Sequence, residues 1–148
     1  MKIENIIRRV LREEQEEEKL LKIPSIRTFN NDWNVLQKYL EFRGNPKYSI
    51  GGDLKLRESD IKTLGNLVRV GGNLDLYGCE KLQSLGELKY VGGLLGLHNT
   101  KIETLGNLEY VGGDLDIYNT TLSKKYTEEV IRDMVEVVGN IFMEDDED

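Results

Sequence analysis

His98 and Cys79 are each the only residue of their kind in the chain, and together they would make an imidazole and a thiol of the sort that nucleophilic catalysis uses. Such a pair works only when both groups meet at one place, with donors for an oxyanion and a third group to orient the ring. No such donors or third member can be identified. The two residues also fall at different points of an internal repeat, His98 aligning with Tyr77 and Cys79 with Thr100. No catalytic residues are assigned, and no enzyme activity is expected. One His and one Cys likewise fall short of the four-ligand set that zinc takes. Asp53, Asp75, Asp114 and Asp116, in GGDLKL, GGNLDL and GGDLDI, offer the hard oxygens that calcium prefers. Leucine, however, fills positions that calcium-binding glycine–aspartate repeats give to glycine, and the period is 20 residues in place of about nine. These acids read as solubilising. Gly-Gly pairs suggest a phosphate cradle, but there is no G-x-x-x-x-G-K-[ST], and each pair precedes a strand instead of opening a helix. No metal and no cofactor are expected.

The chemistry that remains is recognition. Alternation such as Leu54-Lys55-Leu56 has the period of a strand, with leucines inward and the intervening residues outward. Stacked about 4.8 Å apart, equivalent outward positions form a column of Arg57, Tyr77, His98 and Tyr118. A second column beside it holds Lys55, Asp75, Gly96 and Asp116. Aromatic and arginine side chains on a rigid sheet offer large contact area for little lost entropy, so the first column is the candidate binding surface. The same column also reads as an ordinary cross-strand ladder that only stabilises the sheet.

The repeat that builds these columns is marked by Gly51-Gly52, Gly71-Gly72, Gly92-Gly93 and Gly112-Gly113, at spacings of 20, 21 and 20 residues. Three units follow as GGDLKLRESDIKTLGNLVRV, GGNLDLYGCEKLQSLGELKYV and GGLLGLHNTKIETLGNLEYV, and a fourth begins as GGDLDIYNTTL. Each unit carries six aliphatic positions, for example Leu54, Leu56, Ile61, Leu64, Leu67 and Val70. One such unit cannot offset the entropy of ordering 20 residues, so the units must stack and need capped ends. Each is expected to give one strand to a parallel sheet, with Gly-Gly forming the bend before it. Asn66 and Asn107, replaced by Glu87 in the middle unit, are expected to cap a bend through their side chains.

Two caps flank the stack. Asn31 or Asp32 begins a helix carrying Trp33, Leu36, Tyr39 and Leu40, ending near Gly44-Asn45-Pro46. Thr127 begins a second helix, about residues 127–137, and Val138 to Phe142 follows as a truncated fifth strand. Ahead of both, Ile3, Ile6, Ile7, Val10 and Leu11 mark one face of an amphipathic helix that runs into EEQEEE. That helix either packs on the repeats or frays, docks a partner through Ile3, Ile7 and Val10, or pairs with another copy. The resulting division is 1–23 for the charged helix, 24–47 for the helical cap, 48–142 for the repeats and 143–148 for an acidic tail.

The 148 residues bear a formal net charge of −7, but Glu13 to Glu18 and Glu144 to Asp148 hold five acids each. Without them 17 acids face 20 bases, so the repeats are near neutral and nucleic acid is a disfavoured partner. No run approaches the 18 or so apolar residues that span a bilayer, and membrane binding by the first helix is opposed by its acidic run. A single cysteine and a charged N-terminus lead to the expectation of a cytoplasmic protein.

The unit I/V-G-G-x-L-x-L followed by I/L-x-x-L-G-N-L-x-x-V resembles leucine-rich repeats loosely, and the L-domains of receptor ectodomains more closely. Similar short repeats, preceded by segments like IIRRVLREE, are common in proteins of bacteriophages and bacteria. The resemblance covers residues 48–142 and implies an α+β repeat fold: a short right-handed parallel β-solenoid of four to five turns of 20–21 residues, with helical caps and an N-terminal amphipathic helix. The chain departs from receptor domains in lacking disulfides. The expectation is a non-catalytic protein-interaction module, phage-encoded, with a protein as its partner. Two alternatives stand beside it, a structural component of a virion or other homo-oligomeric assembly, and a carbohydrate-binding or enzymatic β-solenoid.

Overall fold

The structure is a computed structural model that describes residues 2–144. Most of the acidic tail, residues 145–148, lies outside them. The fold is α+β, with two parallel sheets and four α-helices among the described residues. Each repeat supplies one short strand to each sheet, which corrects the expectation of a single strand per unit. The first sheet contains β1 (Leu21–Ile23), β2 (Tyr48–Ile50), β4 (Leu67–Val70), β6 (Tyr90–Val91), β8 (Tyr110–Val111) and β10 (Glu136–Val137), in that spatial order. The second runs β3 (Leu54–Lys55), β5 (Leu74–Asp75), β7 (Leu95–Gly96), β9 (Leu115–Asp116) and β11 (Ile141–Phe142). The additional strand escaped the pattern because in two of the three units it is two residues long and buries only the valine of YV, and one residue has no period.

Register follows the sequence repeat. Leu54, Leu74, Leu95 and Leu115 pair in succession across the second sheet, and Val70, Val91 and Val111 across the first. All are at most 1% exposed, so one core runs along the stack between the sheets. The Gly-Gly bends join a strand of one sheet to a strand of the other. At Gly72 a side-chain carbon would stand 2.7 Å from the carbonyl carbon of Gly52, so glycine is required there by close approach between neighbouring units. On the far side of each unit, Gly65, Gly86 and Gly106 take φ near +60°, and the hydroxyls of Thr63, Ser84 and Thr104 accept from their N–H groups at 3.1, 2.9 and 3.0 Å. The bend is therefore made by the hydroxyl and the glycine. Asn66, expected to cap it, instead donates to the carbonyl of Asn45 at 2.8 Å and ties the first unit to the cap before it.

At the N-terminal end, Asp32 caps α2 (Trp33–Phe42), accepting from the N–H groups of Asn34 and Val35 at 2.9 and 3.3 Å. Leu36 and Leu40 then close the core. At the other end come α3 (Thr121–Lys125), which the sequence pattern did not indicate, and α4 (Glu128–Met134), capped by Thr127. The second helix was expected to reach residue 137, but it stops at Met134. Val135 is extended, and Glu136 and Val137 pair with Tyr110 and Val111, continuing the first sheet. Residues expected to close the N-terminal helical segment behave likewise: α1 (Ile3–Glu18) ends before Lys19, and Leu21 to Ile23 joins β2.

Candidate protein-interaction surfaces

Arg57, Tyr77, His98 and Tyr118 lie just past the ends of β3, β5, β7 and β9, and they do form a column. The Arg57 guanidinium sits 5.4 Å from the Tyr77 ring centre, Tyr77 and His98 are 5.1 Å apart, and His98 and Tyr118 are 5.2 Å apart. Each is followed by a residue at positive φ, namely Glu58, Gly78, Asn99 and Asn119, which turns the chain out of the sheet. The neighbouring acids hold the column in place. Asp75 is ion-paired with Arg57 and accepts from the Tyr77 N–H at 3.1 Å. Asp116 accepts from the Tyr118 N–H at 3.1 Å and stands 3.5 Å from His98 Nδ1. The hydrogen bond and charge of Asp75 raise the Arg57 pKa further above its ordinary value. Asn119 donates to Asn99 at 2.6 Å, and Asn99 donates to the Tyr77 hydroxyl at 3.2 Å. The rings meet at 77° and 68°, so the column is an interlocked ladder and not a flat aromatic platform.

The residues weighed for catalysis and calcium are engaged elsewhere. Cys79 is buried, its thiol 2.9 Å from the Leu56 carbonyl, while His98 lies among Tyr77, Tyr118 and Asp116. Asp53 and Asp114 accept from the N–H groups of Asn73 and Asn140, both at 2.8 Å, each stitching one unit to the next. Among the described residues no group of three or more His, Cys, Asp or Glu is placed to hold a metal ion.

A second column went unnoticed in the sequence. On the outer face of the first sheet, Arg69 lies 3.7 Å above the Tyr90 ring, and Tyr90 stacks on Tyr110 at 4.7 Å with the planes only 10° apart. The signal was the residue before each valine, in LVRV, LKYV and LEYV, but it belonged to a strand that had not been identified. Over this face runs the second half of α1, where Glu17 reaches Arg69 at 3.4 Å. Between helix and sheet lies an open groove of about 430 Å³.

The predicted docking residues sit on α1, none of whose side chains is buried. Ile3, Ile7 and Val10 are 73%, 52% and 41% exposed, with Ile6 and Leu11 beside them. The structure does not bring this stripe together with the Arg57 column. No helix among the described residues is long and apolar enough to cross a membrane. No protein family, curated protein or solved structure matches the chain.

Proposed function

We propose that the chain is a right-handed β-solenoid module that binds a protein partner and performs no chemistry of its own. The 20- and 21-residue register carried through both sheets supports the solenoid reading. The observation that carries the functional reading is α1. Five aliphatic side chains on one face of a helix remain open to solvent, an arrangement that mixes poorly with water and suits a partner surface. The Arg57 column is the second candidate contact.

The test is affinity capture by the full-length protein beside two variants, Ile3→Glu/Ile7→Glu/Val10→Glu and Tyr77→Ala/Tyr118→Ala. Loss of a stoichiometric partner with one variant supports the reading and assigns the face. Retention of the same partners by both overturns this placement of the site.

The structural-assembly alternative is favoured by one feature, the opposite charge of the two halves of α1. The carbohydrate alternative has less support, because edge-to-face rings offer a sugar no continuous flat surface.

A further inference from the structure

The two halves of α1 differ in kind. Lys2, Arg8, Arg9 and Arg12, against the single acid Glu4, accompany the exposed aliphatic stripe, whereas Glu13, Glu14 and Glu16 to Glu18 make the remainder acidic. The acidic half forms one wall of the groove, through Glu13, Glu16 and Glu17, and its floor includes Val68, Tyr90 and Tyr110. The groove thus sets an acidic helix wall beside a floor of Val68 and two stacked rings, edged by Lys47, Arg69 and Lys89 and by Glu87 and Glu109. The first half of α1 is an apolar stripe beside arginines, which complements the rings of the floor and the acids of the wall. At about 1.5 Å per residue the stripe from Ile3 to Leu11 is about 12 Å long, and the helical wall from Glu13 to Glu18 about 8 Å, with Lys19 and Leu20 continuing it. Its own helix cannot fill the groove, because α1 is continuous from Ile3 to Glu18 and the basic half runs on past the wall that the acidic half makes.

We propose that the basic half of α1 docks into the groove of a second copy of this chain, whose own α1 docks back in return. The inference rests on reading α1 as an interaction element. Two helices then run antiparallel, each basic half along the partner's acidic half, and the same contact is made twice about a two-fold axis. The stripe meets the partner's sheet, not the partner's stripe, so apolar burial and charge pairing are satisfied in one register. The existing pairs Arg9–Glu13 at 3.9 Å and Arg69–Glu17 at 3.4 Å lie at half-exposed side chains, where such pairs are weak and exchange partners readily. The stacked rings are the floor that Ile6 and Val10 reach.

The test is sedimentation of the purified full chain over a range of concentrations, with circular dichroism to confirm that each variant is folded. The wild type is expected to dimerise. Arg8→Glu/Arg9→Glu/Arg12→Glu makes both halves of the helix acidic, and Glu13→Arg/Glu14→Arg/Glu16→Arg, with three arginines against Glu17 and Glu18, makes both basic, leaving Glu17 on Arg69. Each change alone is expected to weaken dimerisation by about tenfold or more. Mixing the two variants in equal amounts restores a dimer, because each acidic half then finds a basic one. Tyr110→Glu weakens the wild-type dimer without touching the helix. A wild type that stays monomeric overturns the proposal, as does a dimer indifferent to both charge reversals or a mixture that fails to associate. A monomeric chain that still captures another protein through α1 overturns this inference alone and leaves the interaction reading standing.

Discussion

At Gly92 a side-chain carbon would be driven against the carbonyl of Gly71, 3.0 Å from its carbon, whereas at Gly71 the nearest atoms of the preceding unit are 3.5 Å away. Two adjacent repeats therefore treat the same position differently. Gly92→Ala is expected to cost about 2–4 kcal/mol, since the atom in the way is backbone shared by both sheets, and Gly71→Ala less than about 1 kcal/mol. Urea unfolding of the two variants checks the contrast, and equal effects would show that the bends can relax. Tyr48 makes a second residue-scale prediction. It is 1% exposed, its hydroxyl meets Gln37 at 3.2 Å, and burial raises its pKa from 10.0 to about 12. The folded chain thus keeps this phenol neutral where the unfolded chain ionises. The stability it contributes is whole below pH 10 and is lost between pH 10 and about 12, by about 2–3 kcal/mol. Tyr48→Phe should remove that alkaline loss, seen as a flatter dependence of the unfolding midpoint on pH.

Among the elements, α1 stands apart because the fold does not depend on it. With no buried side chain and one ion pair to the sheet, removing residues 1–18 is expected to change unfolding free energy by less than about 1 kcal/mol. Calorimetry of the truncated chain decides this, and a large fall in melting temperature would mean that the helix is a structural cap. Replacing Asp32 by Ala should cost more, about 1 kcal/mol, because it frees the N–H groups of Asn34 and Val35 above the core that Leu36 and Leu40 close. Thr127 was legible in the sequence, and the cap of α2 was narrowed to Asn31 or Asp32, since capping is local chemistry. So were the leucine positions and the order of Arg57, Tyr77, His98 and Tyr118, because stacking of equal units turns sequence spacing into neighbours. The first sheet was not, as a two-residue strand such as Tyr90–Val91 leaves no alternation to read. The Arg69 column and the groove were hidden with it. Where α1 lies depends on contacts such as Glu17 with Arg69, between residues far apart in sequence with no shared period.

Over the whole molecule, stability is spread along a stack in which each unit meets chiefly the units before and after it. The carbonyl of Asn73 accepts from Leu54, that of Leu94 from Leu74 and that of Asp114 from Leu95, so internal units present the same donors and acceptors to either neighbour. The bends repeat this logic at Gly72, Gly93 and Gly113, whose N–H groups donate to the carbonyls of Gly52, Gly72 and Gly93. A further copy of residues 72–92, inserted after Gly92, therefore enters between existing partners without a new kind of contact. Because it buries its own leucines on both sides and leaves the caps untouched, it should raise the dependence of unfolding on denaturant by roughly a seventh, in proportion to chain length. The transition should remain single, since the added unit has no core apart from its neighbours. A lengthened chain that unfolds in two steps, or with an unchanged dependence, would show that the units are not interchangeable and that the caps tune each one individually.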